Sequence, residues 1–454
     1  MLKKVDATQG SMIKAIITFA VPLIIASIAQ QLFHITDTAV LGHMAGSVDI
    51  AAIGATGSIT GLIINGVVGL SSGTTIVLAR FWGEKNEKKI RSAIDTALIT
   101  SLGLGVVVAV LGNILAPFFL TDTDCPSECF DGALLYIRIF ISAAPITLFY
   151  NYGAAVLRTL GDTQRPLIYI LTGGVINVVL NVILCLILPA KVAAVAIATV
   201  ASKLVSGLLV ARRLCNLEED FARVVIRKMR FERNAFINIF RFGTPMAIAH
   251  LIMPMANLQI TTAVNAYGVA AIAGNTAASS ICSVVYSFCN GFSSATATFM
   301  GQNIGAKKPD RVKKAFWNSL FMSALITGSL GVIVFLTGKF WVGLIVGFDE
   351  AETIKYGIIR LAYTCLPVIL HATCSPIGAG LEAFGHASLR SISDLFFGLI
   401  FRVVWMQLIY PRYQTFDMVM LCFPASWILW MIYFTVCFAI IYTRYIKKGI
   451  CKKI

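Results

Sequence analysis

Twelve apolar runs dominate the 454-residue chain, at 13–41, 50–79, 92–120, 133–158, 166–188, 192–213, 236–265, 270–300, 315–345, 354–383, 388–410 and 419–445. Each is about 20 residues or longer, the length at which an α-helix crosses the hydrocarbon core of a bilayer. No water is available there for backbone N–H and C=O groups, so each run must close its own hydrogen bonds as a helix. The runs lack the alternation of polar and apolar residues that marks the strands of a membrane barrel. Only 13% of residues are charged, against about 25% in soluble chains. These features predict an all-α membrane protein of twelve transmembrane helices, with tilt or kinks where a run exceeds the minimum length.

The net charge of +15 is a topology signal rather than a nucleic-acid footprint. Most of the 37 Lys and Arg lie at the N-terminus (Lys3, Lys4, Lys14), in the second-to-third link (Arg80 to Arg91), in the central link (Arg212 to Arg241), in the eighth-to-ninth link (Lys307 to Lys314) and in the tail (Arg444 to Lys453). The opposite links hold only Lys191, Lys339, Lys355 and Arg412. Positive charge is retained on the cytoplasmic side, so both termini are expected in the cytoplasm of a multi-pass plasma-membrane protein, the bacterial inner membrane fitting best. Acidic residues cluster on the other side, as Asp122, Asp124, Glu128 and Asp131 and as Asp349, Glu350 and Glu352. Loop solvation and a cation-attracting vestibule both account for them. No cleavable signal sequence is evident, and the first run is expected to direct its own insertion. Cys125 and Cys129 share one outer loop, at a spacing open to a disulfide or to two free thiols.

The second half of the chain echoes the first. Pro22 aligns with Pro245, and "GLSSGTTIVLARFWGEKNEKKIRSA" from Gly69 aligns with "GFSSATATFMGQNIGAKKPDRVKKA" from Gly291 without a gap. "RTLGD" from Arg158 faces "EAFGH" from Glu382. The predicted organisation is a six-helix lobe over 1–213, a basic link over 214–235 and a second six-helix lobe over 236–454. Six is even, so both lobes start on the same side of the membrane. They are then parallel repeats related by a pseudo-two-fold axis along the membrane normal.

No G-x-x-x-x-G-K-[ST], H-E-x-x-H, G-x-S-x-G or paired-Cys metal pattern occurs. The expectation is a transporter rather than an enzyme, without cofactor or metal, acting as a monomer and driven by an ion gradient. The polar residues inside the runs are the candidate machinery. A charged Asp at a helix centre costs about 2.5–3.5 kcal/mol on insertion scales. Asp37 in "LFHITDTAVLGH" avoids that cost by holding a proton when dry, or by lying near the outer interface. Asn177 and Asn181 fall at i, i+4 on one face of the fifth run. Gln30, Gln31, His34, Thr36, Tyr150 and Asn151 are supporting candidates, each also consistent with plain interhelical hydrogen bonding. Pro22 removes a backbone bond in the first run and is a candidate hinge. His250, Met253, His371 and Tyr286 in the second half are candidates for lining a substrate cavity, with packing as the competing role.

Together these features resemble the multidrug and toxic compound extrusion (MATE) family over nearly the whole chain. The resemblance rests on "VPLIIASIAQQLFHITDTAVLGHMAGSVDIAAIG", "LRTLGDTQRP", "INVVLNVIL" and the two Gly-Ser-Ser repeats. It implies two six-helix bundles exporting organic cations in exchange for H⁺ or Na⁺ by alternating access. It also implies a coupling cluster of Asp37, Asn177 and Asn181 like that of the DinF-type branch, with Asn181 where some relatives carry an Asp. The NorM-type branch carries carboxylates where this chain has Met253 and His371, and a motif Arg where it has Glu382. Protons are therefore the expected coupling ion. A lipid-linked oligosaccharide flippase of the same superfamily is the alternative. Such proteins tend to carry cationic residues in the central cavity, and Arg402 and Lys203 are the internal candidates.

Overall fold

The computed structural model describes residues 7–44, 47–122 and 127–448, without the side chains of 34–44, 47–48, 50–51, 54–55, 58, 122, 253, 258 and 446–448. These residues are almost wholly helical: α1 Met12–Met44, α2 Ser47–Gly83, α3 Glu87–Asp122, α4 Ser127–Ser142, α5 Ala144–Thr159, α6 Gln164–Ile187, α7 Lys191–Cys215, α8 Arg233–Asn265, α9 Val269–Gly305, α10 Pro309–Leu336, α11 Gly338–Val346, α12 Ala351–Thr364, α13 Val368–Ala383, α14 Ala387–Tyr413 and α15 Phe416–Lys448. Two pairs act as single bent spans, α4 with α5 at 44° and α12 with α13 at 45°. Counted that way, the chain crosses the membrane twelve times, as expected. The bends fall beside Pro145 and Pro367, where a missing N–H interrupts the helical ladder. One expected span is corrected: 315–345 is not continuous, because α10 stops at Leu336 and α11 restarts at Gly338.

Apolar residues point outward as well as inward. On α3, Val107, Val110, Ile114 and Phe118 form one exposed stripe, and Leu186 and Ile187 of α6 are about as open. Patches of this kind are lipid-facing in a membrane protein.

The described chain forms two compact units. One spans 25–247; the other comprises 7–24 with 248–448. The division falls inside α1 and α8, two residues after Pro22 and two residues after Pro245. In the first unit a Cβ on Gly69 of α2 would lie 2.4 Å from Cα of Ala247 on α8, and one on Gly73 would lie 2.3 Å from the carbonyl of Ile239. In the second unit the repeat-equivalent Gly291 of α9 faces Ile24 and the carbonyl of Ala20 on α1. Small residues let helices approach this closely without hydrophobic driving force between them. In both units the same repeat motif therefore receives the opening turns of the other half's first helix.

The repeat is also written in the backbone. Lys85 and Lys307, at matching positions, adopt left-handed φ of 52° and 54°. Each closes its helix with a pair of backward bonds: Lys85 N–H to Trp82 O and Asn86 N–H to Phe81 O, against Lys307 N–H to Ile304 O and Lys308 N–H to Asn303 O. Gly161 and Gly385, in "RTLGD" and "EAFGH", repeat this at φ 84° and 88°.

Candidate functional site

In the first unit, α6 holds Asn177 and Asn181 buried on one face. Asn181 donates from Nδ2 to Oδ1 of Asn177 at 3.4 Å, and Asn177 donates to Oγ1 of Thr199 on α7 at 3.4 Å. The i, i+4 spacing sets this face, and α7 supplies the partner. Three of the other supporting residues bond elsewhere. Gln30 donates to Ala26 O at 3.3 Å and Asn151 to Thr147 O at 2.8 Å, each within its own helix. Tyr150 donates to Pro166 O at 3.3 Å. Gln31 is half-buried. Asp37, His34 and Thr36 belong to α1 by backbone, and their side chains lie outside those described. Pro22 is buried inside α1. Cys129 is buried in α4, and Cys125 lies outside the described residues.

In the second unit, His371 of α13 and Tyr286 of α9 stand with ring centroids 5.3 Å apart, and Trp427 of α15 lies 5.5 Å from His371 and 6.3 Å from Tyr286. His371 and Tyr286 are thus ring neighbours within this unit. His250 is half-buried on α8, with no ring contact to this group among the described residues, and the side chain of Met253 lies outside those described.

Sequence reasoning named Arg402 as an internal cation but did not foresee its meeting with Arg360. Arg360 of α12 and Arg402 of α14 are both buried, at 9% and 3% exposure. Arg360 donates to Oδ1 of Asn275 and, at 3.3 Å, to Oγ of Ser279. Arg402 donates to Oδ1 of Asn257 and to Oγ of Ser426, both at 3.3 Å. Both guanidiniums approach the ring of Phe423, at 5.3 and 4.7 Å from its centroid. Among the described residues neither forms an ion pair. A buried, unneutralised cation costs several kcal/mol even after relaxation. The signal available in the sequence was the presence of Arg inside an apolar run, which is rare without a function.

The units also carry an internal ion pair each, near their repeated glycine turns. Asp162, 4% exposed, pairs with Arg165 at 2.5 Å. Glu382, 4% exposed, pairs with Arg390 at 2.7 Å. No group of three or more His, Cys, Asp or Glu suited to a metal occurs among the described residues.

Twelve membrane crossings with polar clusters held inside each helical unit define a polytopic membrane transporter. The MatE family profile matches residues 22–183 and 245–410, and the chain belongs to that family. It is 24% identical over 397 residues to the probable multidrug resistance protein YoeA of Bacillus subtilis, covering 86% of this chain and 85% of that one. It is 27% identical over 322 residues to an FAD transporter of Shewanella oneidensis, covering 68% of each. Its fold superposes on a MOP superfamily transporter from Pyrococcus furiosus with a TM-score of 0.90, at 22% identity and over 98% of this chain and 99% of that one.

Proposed function

We propose that this chain is a proton-coupled antiporter that exports flat organic compounds, cations among them, by alternating access between its two lobes. Membership of the MatE family and relatives named as multidrug resistance proteins support export. The observation that carries the coupling site is the hydrogen-bonded chain Asn181–Asn177–Thr199, which lies in the lobe that also holds Asp37. Amides supply donors and acceptors to either protonation state of a carboxyl. One titrating carboxyl among neutral amides suits a proton, whereas Na⁺ prefers several oxygens with compensating negative charge. Pro22 and Pro245 lie two residues before the points where the compact units divide α1 and α8, which favours Pro22 as a hinge. The lobes 1–213 and 236–454 rock about the 214–235 link, both termini lie in the cytoplasm, and the chain works as a monomer in a bacterial inner membrane.

The test is dye efflux from proteoliposomes with a pH gradient or a Na⁺ gradient imposed alone. The pH gradient drives export in the wild type and not in Asp37→Asn, which mimics the protonated acid and cannot release a proton. Export driven by Na⁺ at equal pH would reject the proton assignment. Movement of a phosphate-bearing lipid is the second reading, favoured by one observation, the buried pair Arg360 and Arg402.

A further inference from the structure

We propose that Arg360 and Arg402 form a binding site for the anionic group of an amphipathic aromatic compound, a carboxylate or its equivalent, whose flat body packs against Tyr286, His371 and Trp427. The inference deepens the exporter reading by adding a class of substrate, and it rests on that reading only for calling the ligand a substrate.

Four features of the second unit converge. The two guanidiniums come from different helices, α12 and α14, yet meet at one aromatic ring, Phe423. Their satisfied N–H groups go to neutral oxygens of Asn275, Ser279, Asn257 and Ser426, which orient a fork without cancelling its charge. Buried nitrogens remain without partners among the described residues: Nε of Arg360, Nε of Arg402 and, beside them, Nδ1 of His371. Finally, Arg402 sits on a four-residue α-helical turn, Phe401–Val404, between π-helical stretches at Asp394–Ile400 and Trp405–Ile409. Wide turns of this kind inside helices are concentrated at functional sites.

A staple between helices needs no second cation beside the first. Here two cations stand together, and Asp394, which acts on Arg402 electrostatically, forms no ion pair with it. A planar carboxylate accepts two parallel N–H bonds from a guanidinium. An aromatic body attached to it finds a continuous surface: Phe423 to Trp427 at 6.3 Å, Trp427 to His371 at 5.5 Å and His371 to Tyr286 at 5.3 Å. Tyr286 and His371 are the half-buried members of that surface, and Phe423 and Trp427 the buried ones. A compound carrying both an amine and a carboxylate satisfies this site and the cationic expectation together.

The experiment uses the full chain in lipid nanodiscs and two isosteric fluorescent probes, naphthoate and naphthamide, with binding read by anisotropy and by quenching of tryptophan emission. Naphthoate is expected to bind about tenfold or more tighter than naphthamide, the equivalent of at least about 1.4 kcal/mol. Arg402→Gln and Arg360→Gln are each expected to remove that preference by lowering naphthoate affinity far more than naphthamide affinity, and Arg402→Lys to keep part of it. Equal binding of the two probes by the wild type overturns the proposal whether or not the variants fold. So does an equal loss of both probes in variants that remain monodisperse and helical. Discs of neutral lipid are compared with discs containing phosphatidylglycerol. Unchanged naphthoate affinity supports a soluble ligand, and displacement by the anionic lipid assigns the pair to a lipid phosphate and overturns the substrate class. No gradient is involved, so a failure of coupled export leaves this result standing, and the reverse holds as well.

Discussion

Asn181 lies one helical turn beyond Asn177 on α6 and donates to its side-chain oxygen at 3.4 Å, inside a mostly apolar span. Bonds of this kind between membrane-embedded side chains average about 0.6 kcal/mol. A purely structural role would therefore show as a small loss of stability and no loss of transport. Asn181→Ala and Asn177→Ala are expected to leave the unfolding temperature nearly unchanged and to slow proton-driven efflux several-fold. The effect should be milder than in Asp37→Asn, because water replaces part of an amide's bonding. Parallel thermal unfolding and efflux measurements decide it. Full efflux in both variants removes the pair from the coupling site.

Glu382 and Arg390 form the internal ion pair of the second unit at 2.7 Å, with Glu382 almost fully buried and the Arg390 side chain 23% exposed. Removing one partner of a buried pair costs about 3–5 kcal/mol, and the partial exposure of Arg390 places Glu382→Gln at the lower end. The double variant Glu382→Gln with Arg390→Gln should lose less than the sum of the single losses, since it leaves no unpaired charge. Thermal unfolding of the four proteins in detergent measures the coupling. Additive losses would mean that the two charges act independently.

Gly69 and Gly291 are equivalent in the repeat but unequal in what they touch. An added methyl at Gly69 meets the Ala247 backbone at 2.4 Å, whereas at Gly291 its nearest neighbour is a side-chain atom, Cγ1 of Ile24, at 2.5 Å. Gly69→Ala should therefore destabilise by about 1–3 kcal/mol and Gly291→Ala by less. The unfolding temperatures of the two variants test the order, and the reverse order would contradict the packing described for α2 against α8.

The link around Arg227 to Arg233 carries much of the positive charge that sets topology. Single cysteines placed there should resist an impermeant thiol reagent applied to intact cells and react after the cells are opened. Labelling from outside would invert the proposed orientation and exchange the sides of entry and exit.

The positions of the spans were legible in the chain because hydrophobic length is a local property. A run of apolar residues long enough to cross a bilayer must be helical wherever it packs. The repeat was legible for the same reason, since matching turns such as those at Lys85 and Lys307 are closed by bonds within a few residues. Breaks were less so. The bend between α4 and α5 and the stop at Leu336 depend on how a particular turn packs, and the apolar pattern runs straight through both. The i, i+4 spacing of Asn177 and Asn181 set them on one face, but only α7 decided that Thr199 would meet them.

Helix partners were not readable at all. In water, a helix marks its buried face by contrast with a polar one; in lipid both faces are apolar, so periodicity does not say which side meets another helix. The sequence by itself therefore determined twelve spans, a duplicated plan and a family. Tertiary structure alone decided that the opening turns of α1 and α8 each pack with the other half's helices. It also decided that Arg360 and Arg402, on separate helices, converge on the ring of Phe423.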